Sequence, residues 1–180
     1  MEGVQNVNLP GVLSVLEGEK TQSPVFFINP TGTLETFFTY KGCLVEVNKM
    51  QYRLQLGKAT KEQISEEIRV LLTSGLQRGD YVVFYSGQLS NFNFAEFFSQ
   101  FDFNKGDQSF FDNGKLFDKA YLISSGILTP DLDKDYFGAK GSYAVNASSR
   151  VVYLCKCEES EISTVKANSS GINFNYYLAQ

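Results

Sequence analysis

TKEQISEEIRVLLTSGLQRGDYVVFYSG, from Thr60 to Gly87, carries the two signals that set the fold. Ile64, Ile68, Leu71, Leu72 and Leu76 recur at helical spacing and form one apolar face across Thr60 to Gln77. Thr60 followed by Gln63 has the form of a capping box, and Gly79 stands just past the end, where a helix stops most easily. Tyr81-Val82-Val83-Phe84-Tyr85 then runs apolar without alternation and is broken by Ser86-Gly87. A strand apolar on both faces needs cover on both. A long helix feeding such a strand predicts an α/β domain with a parallel sheet between helical layers.

Working outward, Val25-Phe26-Phe27-Ile28 is a second buried strand, closed by Asn29-Pro30, and Val151-Val152-Tyr153-Leu154 is a third. Ala120-Tyr121-Leu122-Ile123, ended by Ser124-Ser125-Gly126, reads as a further strand. Thr36–Tyr40 and Leu44–Val47 are β-rich. Cys43–Leu56 fits a helix equally well, with Val47, Met50 and Leu54 on one side. Phe92–Phe101 and Glu159–Lys166 are short helices, and the stretches Asp102–Lys115 and Thr129–Ser142 are polar or turn-rich. Ahead of these, Leu9, Val12, Leu13 and Leu16 form an amphipathic helix with Pro10 in its first turn. It either packs on the domain's own core or serves a partner as an arm. The expected organisation is an N-terminal arm over 1–23 and one α/β domain over 24–180.

Composition excludes several functions. The chain has 180 residues, a size for one core. It carries 16 Lys and Arg against 20 Asp and Glu, with no basic stripe, which excludes a phosphate-backbone footprint and so a nucleic-acid partner. It contains no histidine, which removes imidazole from any catalytic scheme. Cys43, Cys155 and Cys157 lack both disulfide and zinc spacing and read as reduced core thiols. The N-terminus shows no leader-like pattern and no run approaches a membrane span, so an intracellular protein, cytoplasmic or cytoskeletal, not secreted and without membrane insertion, is expected. The sequons at Asn146 and Asn168 are then chance matches.

The ordered pieces resemble the caspase-fold peptidases, metacaspases in particular. Gly42-Cys43 through Met50 is similar to the family's Gly-Cys segment, and Thr60 to Gly87 to its helix, turn and strand ending in Ser-Gly-His-Gly. Tyr121–Gly126 falls where the family has a strand ending in Asp-Ser-Cys-His. Val151–Ser160 resembles the next strand, and Gly171–Leu178 the start of a helix. The resemblance implies a three-layer α/β/α sandwich with a mostly parallel sheet. It also puts Gln88 at the histidine position of the catalytic pair and Ser125 at the cysteine position. An amide takes no proton near neutral pH, and a serine without a base is a weak nucleophile. The resemblance therefore implies an inactive relative that needs no cofactor and works as a structural or scaffolding subunit of a larger protein assembly. Its alternatives are a regulator pairing with an active caspase-like peptidase, and a residual serine hydrolase in which Ser125 uses Lys119, Lys134 or Lys156.

Two further features bear on chemistry. Asp131-Leu132-Asp133-Lys134-Asp135 begins like a calcium loop, but Tyr136 and Ser142 stand where glycine and glutamate are required. Asp102–Asp107 departs from the template sooner, so no metal site is expected. The rings of Phe92, Phe94, Phe97, Phe98, Phe101 and Phe103 exceed what one helix face needs. They are read as core, with a partner-facing patch as the sharper alternative.

Overall fold

The computed structural model describes residues 3–18, 23–104 and 108–180. Part of the expected arm and the end of the second carboxylate run (Lys105, Gly106, Asp107) lie outside the described residues. The elements are β1 (Val4–Val7), α1 (Leu9–Glu17), β2 (Val25–Ile28), α2 (Thr33–Lys41), β3 (Gly42–Glu46), α3 (Val47–Gln55), α4 (Lys61–Arg78) and β4 (Tyr81–Tyr85). They continue with α5 (Phe94–Ser99), α6 (Asn113–Leu116), α7 (Lys119–Ser124), β5 (Arg150–Cys155), α8 (Ile162–Asn168) and β6 (Asn175–Ala179). The six strands form one sheet in the order β1-β6-β2-β5-β4-β3, and every pairing is parallel.

Successive strand residues face opposite sides and build two cores. Phe26, Ile28, Val82, Phe84, Val151, Tyr153 and Leu178 pack with α3, α4, α5 and α8. Phe27, Val83, Tyr85, Val152, Leu154 and Ala179 pack with Val12 and Leu16 of α1 and Leu34 and Phe38 of α2. This is the expected α/β sandwich with helices on both faces. The capping box forms as read: Gln63 N donates to Thr60 Oγ1 at 3.3 Å and Thr60 N to Gln63 Oε1 at 2.9 Å. Gly79 ends α4 at φ 88°, in the left-handed region.

Four expectations are corrected. The N-terminal segment is no arm: β1 is an edge strand, Val4 opposite Tyr176 and Val7 opposite Ala179, and Val12 is fully buried. Thr36–Tyr40 lies in α2, because Leu34 and Phe38 share one buried face and Asn29 Oδ1 takes the Leu34 N–H at 2.8 Å. Ala120–Ile123 lies in α7, capped by Asp118, whose carboxylate takes the Ala120 N–H. Only Leu122 of that run is buried, while Ile123 is half exposed, which no central strand could tolerate. Gly171–Leu178 leads into strand β6 instead of a helix. Its Tyr176 and Leu178 face one core and Tyr177 and Ala179 the other, the period of two that a sheet demands.

Candidate functional site

In open parallel sheets the natural place for a site is the carboxyl edge, where neighbouring strands send their connections to opposite faces. β2 and β5 are such neighbours. The chain leaves β2 through α2 into one core and leaves β5 toward α8 in the other. Asn29 closes this edge from β2. It is buried, donates from Nδ2 to Thr31 Oγ1, Thr33 Oγ1 and Ala179 O (3.1, 3.3 and 3.2 Å), and accepts from Leu34 N. Main-chain bonds continue the closure: Asn29 N to Cys155 O (2.9 Å), Ser86 N to Leu154 O (3.0 Å) and Lys156 N to Gly87 O (2.8 Å). The edge is thus held by groups that satisfy one another.

Cys155 and Cys157 follow at the end of β5, both buried and free. The Cys157 thiol donates to the Cys155 sulfur, which lowers the Cys155 pKa, assisted by the Ser86 hydroxyl and opposed by burial. The same bond, with burial, pushes Cys157 far up. Glu161, a carboxylate whose charge acts on both thiols, accepts from Ser90 Oγ at 2.7 Å and Glu158 N at 3.1 Å. These thiols are packed core groups, and burial denies a substrate access to them.

No hydrogen bond joins the two degenerate dyad positions. Gln88 is exposed on the turn after β4. Ser125 caps the end of α7, its N–H on Tyr121 O (2.9 Å) and its hydroxyl donating to Leu122 O (3.3 Å). The next residue ties this turn to α4, because Arg69 Nε donates to Gly126 O at 2.8 Å. Among the described residues neither Gln88 nor any lysine hydrogen-bonds to Ser125. Lys119 is engaged with Asp133 Oδ1 (2.7 Å) and Gly141 O (2.9 Å). Among the described residues no cluster of three or more histidine, cysteine or acidic side chains is arranged to hold a metal ion.

The phenylalanine stretch also needs correction as a partner surface. Phe92, Phe94, Phe97, Phe98, Phe101 and Phe103 are all buried inside the chain's own core. They belong to an aromatic cluster around Tyr153, whose ring meets Phe84, Phe94, Phe111 and Phe174 at 5.5, 5.2, 5.9 and 4.8 Å between centroids. Helices α5–α7 are short, and large rings fill the volume that a few residues must fill.

The exposed aromatics lie elsewhere. Phe137 is 97% exposed and Tyr136 64%, side by side at the tip of the turn between α7 and β5. The turn is built from within. Asp135 Oδ1 accepts from Phe137 N and Ala139 N, both at 2.9 Å, and Asp135 N donates to Ala139 O. The hydroxyl of Ser142 donates to Ala139 O, and an antiparallel bridge joins Lys134 to Lys140. Its base is fixed by the Lys119–Asp133 ion pair (2.7 Å) and by Gln77 Nε2 on Lys134 O (2.8 Å). Asp135 is held below the usual carboxylate range, first by the Ala139 N–H and then by Phe137 and Ser142, and Asp133 likewise by Lys119. Sequence reasoning passed over this pair because Tyr136-Phe137 carries no period. The available signal was two large rings between Asp135 and Gly138 in a stretch with no strand or helix to bury them.

No protein-family model, curated protein or solved structure matches the chain. Among the described residues no helix is long and apolar enough to cross a membrane.

Proposed function

We propose that the chain is a non-catalytic protein-binding module, a structural or scaffolding subunit of a larger assembly, that docks through the Tyr136–Phe137 turn. The observation that carries this is the fully exposed Phe137 on a turn ordered by its own hydrogen bonds. Burying one such side chain contributes roughly 1.5–3 kcal/mol. A tip already ordered loses little entropy on docking, so most of that gain survives as affinity. Lys134 and Lys140 flank the tip, both exposed and without an ion-pair partner among the described residues. The partner that fits is a protein with an apolar pocket rimmed by carboxylates.

The non-catalytic part rests on the absence of histidine and on the lack of any hydrogen bond between Gln88 and Ser125. The Ser125 hydroxyl, donated to a main-chain carbonyl, speaks against the residual-hydrolase alternative. A caspase-like ancestry has the segment Thr60–Gly87 in its favour. Against it stands the helix at Lys119–Ser124, where the resemblance puts the strand bearing the nucleophile.

The test is quantitative affinity purification of the tagged chain beside a Tyr136→Ser/Phe137→Ser variant of unchanged melting temperature. A protein recovered in fixed ratio with the natural chain falls about tenfold or more with the variant, as expected for two lost anchors. Equal recovery with both chains, or recovery of lipid vesicles and no protein, overturns the proposal.

A further inference from the structure

We infer that the chain carries a second site, a groove for a small neutral sugar, between α3, the loop after β4, α5 and the end of α8. The groove is about 290 Å³, near the lower end of the ~300–1,000 Å³ of small-molecule sites, and so suits one or two rings. Six primary amides line it: Gln51, Gln55, Asn91, Asn93, Gln100 and Asn168. Three of them are partly engaged. Asn93 Oδ1 caps Glu96 N (3.0 Å), Gln100 Nε2 reaches Phe97 O (3.2 Å) and Asn168 Nδ2 reaches Thr164 O (2.8 Å). The side-chain amides of Gln51, Gln55 and Asn91, which also line the groove, make no hydrogen bond with the described residues.

The chemistry of this lining selects its ligand. A primary amide offers two donors and one planar acceptor on neighbouring atoms. A hydroxyl both donates and accepts, so adjacent hydroxyls on a ring pair with amides in a way that a carboxylate, ammonium or phosphate cannot. Glu96 is the only side chain of the described lining charged at neutral pH, so nothing in it neutralises an anion. Tyr52 stands on the rim with its ring half exposed, and Phe92 and Phe97 form a buried apolar floor. A pyranose has this dual character, with polar edges and an apolar C–H face that lies on an aromatic ring. No element of the groove is a strand, which removes the unpaired main-chain edge that an extended peptide would use.

The probes are cellobiose, maltose, mannobiose and diacetylchitobiose, titrated into the intact chain by calorimetry and by ligand-observed magnetic resonance. At least one is expected to bind, and a Gln51→Ala/Asn91→Ala variant of unchanged melting temperature is expected to bind it about tenfold or more weakly, two hydrogen bonds being lost. Tyr52→Ala, which leaves every amide in place, is expected to weaken the same sugar. Failure of all four disaccharides to bind overturns the inference. So does binding that the variants leave unchanged, or capture in the groove of an acetylated tripeptide in preference to every sugar.

Discussion

Tyr153 and Tyr143 show how far a single hydroxyl depends on its surroundings. Both rings are buried, but Tyr143 donates to Thr73 O at 2.9 Å whereas the Tyr153 hydroxyl has no hydrogen-bond partner among the described residues. Removing a satisfied hydroxyl costs about 1 kcal/mol, and removing an unsatisfied one relieves a desolvation penalty of similar size. Tyr143→Phe is therefore expected to lower the unfolding free energy by about 1 kcal/mol and Tyr153→Phe to raise it by about as much. Urea unfolding at constant slope measures both, and a loss from Tyr153→Phe contradicts the assignment. At the same scale, Asp135 ties pH to the order of the tip. Its pKa is lowered in the folded turn, so its contribution is present above the ordinary carboxylate value and disappears as the pH falls through the lowered one. The amide protons of Phe137 and Ala139 are expected to lose protection at acidic pH and to stay flat from there to neutrality. Protection unchanged in acid would show that the turn does not depend on Asp135.

Among the elements, α4 and β4 were legible because several local signals agree there: apolar period, capping box and a glycine stop. α2 and α7 were misread because each is short. Thr36–Tyr40 is rich in strand formers, and the bond that fixes α2 comes from Asn29, on the far side of a turn. The run Ala120–Ile123 is too brief for a period to separate helix from strand. Contact between α4 and β4 is close at Gly75, where an added methyl group would sit 2.5 Å from Val82 Cγ2. Alanine at a helix interior gains about 1 kcal/mol in propensity, whereas overpacking costs about 1–3 kcal/mol. Gly75→Ala is expected to destabilise on balance. A raised melting temperature would mean that α4 shifts away from the sheet without loss.

For the whole molecule, the sequence indicates a helix-covered parallel sheet through three apolar strands, Val25–Ile28, Tyr81–Tyr85 and Val151–Leu154, which became its central β2, β4 and β5. It did not disclose β1 and its neighbour β6. β1 is short and half polar, and β6 is only five residues, Asn175-Tyr176-Tyr177-Leu178-Ala179, with no alternation to mark a strand. The candidate sites were less legible than the fold. The phenylalanine run drew attention by composition, but burial is a property of the packed layers, and it placed those rings inside while leaving Tyr136 and Phe137 outside. The groove amides come from four separate segments that no sequence period relates. What the molecule offers its surroundings is therefore set by loops and helix ends on a rigid sheet.

The docking claim is tested most directly by replacing Phe137 with a photo-crosslinking phenylalanine analogue in the chain's native cells, with Tyr40, another exposed aromatic, as the control position. The account predicts one dominant protein adduct from position 137 and none in common from position 40. No adduct at position 137, or the same mixture from both positions, would contradict it.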